Sequence, residues 1–299
     1  MTANKTSKQL LNDLNADQTT QPADSLTQSL DIVPPLEAAA IEALPAELLS
    51  QSSVFAPQAV PGIERTGGNG NNVLRGTDGD DTLRGGRGND RLIGFAGGDR
   101  LLGEQGNDRL FGSEGLDRLF GGNGNDRLEG EIGADTLRGG GGRDTLRGGG
   151  GLDLLNGNAG EDNLLGGNQQ DTIRGGQGED TLLGGRGNDV IVGGEGEDTL
   201  TGGPGGDRFV FESFSDRSDT INDFDEDRDR LDFSRLLTGS RYSSSDPLDD
   251  YVVIVNDEDE RTLIRVDPDG DAERNTPFKT IVILEDIDFD DVRSRNFIF

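Results

Sequence analysis

Between residues 67 and 210 an apolar side chain returns every ninth residue, from Leu74, Leu83 and Leu92 through Ile191 and Leu200 to Phe209, with no insertion or deletion. The polar pattern around it is equally regular over the sixteen blocks. Counting Gly67 as position one, the first position is Gly in every block, and the fourth is Gly in all but one, where Gln169 stands. The sixth is Asp in all but the first block, which has Asn72. Fixed glycines mark backbone that needs φ > 0 or that passes close to another segment. Positions seven to nine, apolar in the middle, predict a very short strand with its central side chain pointing in and its neighbours pointing out. One block is one turn plus one strand.

A chain that reverses every nine residues completes a circuit every eighteen, so each strand stacks on the strand two blocks later, about 4.8 Å away. Sixteen blocks then make about eight coils and a rod roughly 38 Å tall. The same stacking sets Asp81 beside Asp99 and Asp90 beside Asp108, and so on down both edges. Carboxylates this close repel unless a cation lies between them. Turn carbonyls pointing the same way favour a hard, oxygen-seeking ion, Ca²⁺ ahead of Mg²⁺ because flexible carbonyls suit its larger, less regular shell.

Blocks such as GGRGNDRLI at 85–93, GGNGNDRLE at 121–129 and GGQGEDTLL at 175–183 resemble the GGxGxDxUx nonapeptide long established as the signature of the RTX (repeats-in-toxin, haemolysin-type) calcium-binding proteins. The resemblance covers about half the chain. It implies an all-β fold, a parallel β-roll (β-solenoid), with Ca²⁺ held between turns of alternate blocks by aspartate carboxylates and backbone carbonyls. Carried over position by position, the implied ligands are Asp81, Asp90, Asp99, Asp108, Asp117, Asp126, Asp135, Asp144, Asp153, Asp162, Asp171, Asp180, Asp189, Asp198 and Asp207. Phe95, Glu104, Ser113, Glu131 and Asn158 depart from the pattern by replacing the second glycine, and Gln169 with Gln170 alters the turn before Asp171. Asn72 marks a capping block.

Composition alone would suggest a flexible linker, with 30% hydrophobic residues, 5% aromatic and a net charge of −30. A linker has no reason to keep Asp and Leu in a nine-residue register over this length, although without calcium the block is expected to be disordered. Cysteine and histidine are absent, which removes disulfides, thiolate and imidazole metal sites and every histidine-based catalytic arrangement, leaving carboxylates as ligands. The acidic balance argues against nucleic acid, which needs a basic stripe.

Residues 1–66 carry 8 acidic and 3 basic residues and read as a polar, largely disordered segment. Their first thirty residues hold no apolar run long enough for a cleavable signal. Leu36, Ala40, Ile41, Leu44 and Leu48 could share a short helical face that Pro45 interrupts. In the repeats, 67–210, Arg91, Arg109 and Arg127 at position seven fall on one sheet and Arg100 and Arg118 on the other. Such rows either hold an anionic cell-surface polysaccharide or form a solvated face that balances nearby acids, the latter being the ordinary case. The outward pairs Ile93 with Phe111 and Leu102 with Phe120 ask for cover by the N-terminal segment or a partner.

Residues 211–299 lose the glycines and gain the β-rich runs YVVIV (251–255), RTLIRV (261–266) and KTIVIL (279–284), which predict a small antiparallel β cap on the open end of the roll. The stretch from Asp219 to Leu237 and the terminal NFIF resemble the C-terminal region of type I secretion substrates, which implies export by an ABC-transporter machinery. An EF-hand starting at Asp223 is rejected, since Arg228 stands at the obligatory glycine and Ser234 at the bidentate glutamate.

The expected function is that of a secreted, extracellular calcium-binding protein, structural or cell-surface associated, unfolded where Ca²⁺ is scarce and folded where sites with Kd of about 10⁻⁴–10⁻³ M fill. The alternative is an adhesin or carbohydrate-binding module. A remnant of an RTX enzyme or toxin fits less well: no HExxH or GxSxG occurs, and no apolar stretch is long enough to cross a membrane. No catalytic residues are expected.

Overall fold

In the computed structural model, residues 60–214, 218–237, 252–256, 261–266, 279–285, 287 and 291–299 are described. The helical face proposed around Leu36–Leu48 lies outside them. Among the described residues twenty-three strands follow one another from Glu64–Thr66 to Phe297–Ile298, and the only helical element is a single 3₁₀ turn at Ser294–Asn296. Alternate strands belong to two sheets, one of eleven strands and one of twelve.

Within the repeats, pairing in each sheet is parallel at a separation of eighteen residues, as the nine-residue period requires. Thr82 lies opposite Arg100 and Leu83 opposite Leu101 on one sheet, while Arg91 lies opposite Arg109 and Leu92 opposite Leu110 on the other. The eighth-position side chains point between the sheets, and Leu83, Leu92, Leu101, Leu110 and their successors to Phe209 are buried to within 1%. The core of the roll is therefore one apolar side chain deep per half-turn.

Strand length differs from expectation. From Thr82–Arg87 to Val190–Glu195 the strands are six residues long rather than three, because pairing continues through the first three positions of the next block. Glycine is a poor strand former on its own, but here its neighbours above and below are also fixed in the ladder. At position two, from Gly86 onward, the backbone keeps positive φ even where glycine is replaced: Phe95 (83°), Glu104 (78°), Ser113 (87°), Glu131 (77°) and Asn158 (76°) all lie in the left-handed region. The departures change side chains without changing the path of the chain.

Parallel stacking also overruns the repeats at both ends. Glu64–Thr66, placed by sequence in the N-terminal segment, pairs with Thr82–Arg84. Beyond Val210, Asp219–Ile221 stacks on Thr199–Leu200, Arg230–Asp232 on Arg208–Val210, and Phe297–Ile298 on Leu231–Asp232. The expected antiparallel strands form at Val252–Asn256, Thr262–Val266 and Lys279–Leu284, and the last of these joins the roll by parallel pairing with Asp219–Ile221. Here the core thickens. Phe211 and Phe233 meet at 5.1 Å between ring centroids, Phe297 stacks on Phe233 at 6.0 Å, and Phe299 packs against both.

Candidate calcium sites

The sixth-position aspartates are the most unusual buried groups in the molecule. Asp81 and each successor to Asp207 have at most 3% of their surface exposed, although no arginine or lysine among the described residues is buried beside them. Each carboxylate spans two coils. From Asp99 on, its Oδ1 accepts the backbone N–H of the aspartate eighteen residues earlier, as in Asp90 N–H to Asp108 Oδ1 at 2.6 Å, Asp108 to Asp126 at 2.7 Å and Asp126 to Asp144 at 2.8 Å. The result is two ladders of carboxylates, one down each edge of the roll.

The second oxygen decides the chemistry. At every ninth residue from Asp90 to Asp189, and again at Asp207, Oδ2 is inaccessible to solvent and has no hydrogen-bond partner among the described residues. An ionised oxygen left this way costs several kcal/mol unless a counter-charge reaches it. Its surroundings show what that counter-charge meets. A methyl group on Gly85 would lie 2.4 Å from Asp90 Oδ2 and 2.8 Å from the carbonyl oxygen of Gly103, and one on Gly121 would lie 2.4 Å from Asp126 Oδ2 and 2.6 Å from the carbonyl of Gly139. The first-position glycine thus keeps open a small space onto which a carboxylate and a carbonyl oxygen converge. No three acidic side chains gather at one point among the described residues. A metal here would be held by carboxylates together with backbone carbonyls, an all-oxygen donor set suited to Ca²⁺.

Protonation tells the same story in the metal-free molecule. Burial pushes the carboxyls of Asp99, Asp108, Asp126 and Asp135 up to about 6 and those of Asp117, Asp144, Asp171, Asp180 and Asp207 up to about 7. The accepted backbone hydrogen bond opposes the rise, and the neighbouring aspartate along the ladder adds to it at nearly all of these positions. Asp153, Asp162 and Asp189 are raised for the same leading reason.

The ladders end differently from their interiors. Asp81 Oδ1 accepts the N–H of Ile63, and its Oδ2 is taken by the Thr77 N–H and hydroxyl. Asn72 bonds Gly68 N–H through its side-chain oxygen and gives its own N–H to Asp90 Oδ1. Thr77, which replaces a second glycine, is a departure that sequence reading passed over. It also passed over Asp219 and Asp229. Asp198 N–H donates to Asp219 Oδ1 at 3.1 Å and Asp207 N–H to Asp229 Oδ1 at 2.7 Å, so both ladders run one rung past the repeats. Asp229 Oδ2 is closed by the Asp225 N–H. The triplets Asp219-Thr-Ile and Asp229-Arg-Leu repeat the Asp-to-apolar step of the block, but at separations of 21 and 22 residues they fall out of the nine-residue register.

The family model of the RTX calcium-binding nonapeptide repeat matches overlapping segments that together span residues 66–217. The chain belongs to this family of calcium-binding repeat proteins. No curated protein shows significant similarity to it. Among solved structures, the solution structure of the AlgE6R3 subunit from the Azotobacter vinelandii mannuronan C5-epimerase is similar at 26% identity, covering 58% of this chain and 79% of that one, with a TM-score of 0.22. At that TM-score the likeness carries no structural argument. No helix among the described residues is long and apolar enough to cross a membrane.

Proposed function

We propose that this chain is a secreted protein whose roll folds when Ca²⁺ fills the aspartate ladders outside the cell, and that it serves there as a structural or surface-associated element. The buried Oδ2 oxygens without partners carry this reading. They make the metal-free roll costly at neutral pH, and an oxygen-seeking cation removes the cost. Asp90 to Asp207 would hold the ions together with carbonyls such as those of Gly103 and Gly139, and Ca²⁺ would supply the charge that keeps facing carboxylates ionised and the coils together.

Export by a type I machinery follows from the same energetics. A chain that cannot fold where calcium is scarce stays thin enough to be threaded, and the terminal Phe297 to Phe299, packed against Phe233 in the folded molecule, would be exposed for reading in the unfolded one. The test is co-expression with a type I exporter. Full-length chain should reach the medium, and a chain lacking residues 291–299 should stay inside. Equal export of both would remove the C-terminal signal from this account.

A further inference from the structure

Resting on the reading that calcium fills the ladders, we infer that one edge of the roll is a binding groove for an anionic polysaccharide. The groove is open, about 680 Å³ in volume, and runs across three coils to Arg143 and Thr145 on a fourth. Its walls are two parallel rows: Arg91, Arg109 and Arg127 at position seven, and Asn89, Asn107 and Asn125 at position five. Its floor includes Asp90, Asp108 and Asp126.

The rows are arranged to donate. Along the asparagine row each Oδ1 accepts the N–H of the residue eighteen further on, with Asn107 N–H to Asn89 Oδ1 at 2.8 Å, Asn125 N–H to Asn107 Oδ1 at 2.8 Å and Arg143 N–H to Asn125 Oδ1 at 2.9 Å. The acceptor end of each amide is thus committed, which leaves its NH₂ for a ligand. No carboxylate of the described residues pairs with Arg91 or Arg109, a state they share with Arg100 and Arg118 on the other sheet; what sets this edge apart is the asparagine row beside the arginines, where the other edge has Gly98, Leu116 and Ala134. Arg91 lies over the Phe111 ring at 4.5 Å, a contact that fixes its guanidinium plane. Arg127 is tied to Glu129 at 2.6 Å, and Arg143 pairs with Glu161 at the far end. Further along, the fifth position becomes Glu161, Glu179 and Glu197 and the seventh becomes Thr145, Asn163 and Thr181, so the donor surface stops after these coils.

Calcium in the ladder would neutralise the floor and leave the groove positive. The rung repeat of about 4.8 Å presents a fork-shaped guanidinium and an amide at each step, which matches a polymer with carboxylates and hydroxyls on successive sugars. A nucleic acid fits less well, because no aromatic ring lines the groove to stack a base.

The test uses full-length protein in millimolar calcium with labelled oligogalacturonates too short to gel, alongside neutral dextran and single-stranded oligothymidylate. The wild type should bind the oligouronate, more weakly as salt rises, and should bind neither control. The double variant Arg91→Gln/Arg109→Gln should lose about tenfold or more in affinity, with unchanged circular dichroism in calcium. Arg100→Gln/Arg118→Gln, on the opposite sheet, should bind as wild type. Undiminished binding by the first pair, equal loss by the second, or tighter binding of oligothymidylate would each overturn the groove. Binding that persists in EGTA with the roll intact would support the groove and overturn its dependence on calcium, so the two readings fail separately.

Discussion

Asp126 shows how much rests on one oxygen atom. Its Oδ1 accepts the Asp108 N–H, while its Oδ2 faces the Gly139 carbonyl without a hydrogen. Asp126→Asn keeps the first bond and puts an NH₂ against the carbonyl, which satisfies the buried group at no charge. The variant should therefore melt higher than wild type in EGTA at about pH 7, where the Asp126 carboxyl, raised to about 6, is ionised, by an amount on the order of one hydrogen bond, about 1 kcal/mol, and lower than wild type in calcium. Asp126→Ala removes both oxygens and should lower both midpoints. Parallel melts of the three proteins check this. A pH dependence follows from the same atoms. In the metal-free fold the ladder carboxyls are raised from 3.8 to about 6–7, so the folded state holds protons that the unfolded state releases. That stability is fully present below about pH 4 and is lost as pH rises through 6 to 7. The β signal in EGTA should accordingly be strong at about pH 5 and weak at about pH 8, and calcium should abolish the difference. The aspartate row was legible at this scale because its period is fixed. Thr77 and Asp225 were not, since their effect is a backbone N–H aimed at an oxygen and leaves no mark in a pattern of residue types.

Elements here are specified by what lies one coil above and below. The strand starts were readable from the Asp-x-apolar step. Their ends were not, because a run such as Gly85-Gly86-Arg87 has no strand propensity and is held by the coils on either side of it, Glu104 and Gln105 on one and Gly68 to Gly70 on the other. The two strands beyond the repeats escaped notice for a related reason. Loops of irregular length shift Asp219 and Asp229 out of register while the coil itself continues. The positive φ at Glu131 (77°) is strained for a residue with a Cβ. Glu131→Gly relieves this at about 1–2 kcal/mol, offset in part by the greater freedom glycine gives the unfolded chain. A net gain of about 1 kcal/mol in calcium is expected by chemical denaturation. A loss would mean that the side chain makes contacts worth more than the strain.

Across the whole roll, stability is uneven. The repeats contribute one buried side chain per half-turn, whereas the C-terminal end gathers Phe209, Phe211, Phe224 and Phe233 into a true aromatic core. Short-range stacking of this kind propagates from wherever a first coil is stable, and among the described residues the thick core lies at that end. Phe233→Ala, expected to cost about 3–5 kcal/mol, should therefore raise the calcium concentration needed to fold the entire roll, while Leu110→Ala in mid-roll should raise it less. Calcium titrations of both variants decide the matter. The whole-molecule architecture was the most legible level, because eighteen-residue stacking follows directly from a nine-residue turn. The overrun at both ends was hidden where that period lapses.

Far-UV circular dichroism of the full chain, titrated from EGTA into millimolar Ca²⁺ at neutral pH with Mg²⁺ as control, tests the central claim most directly. A cooperative gain of β signal with Ca²⁺, absent with Mg²⁺, is the predicted result. A spectrum already rich in β structure in EGTA and unmoved by calcium would contradict it, since the buried aspartates would then be stable without the ion.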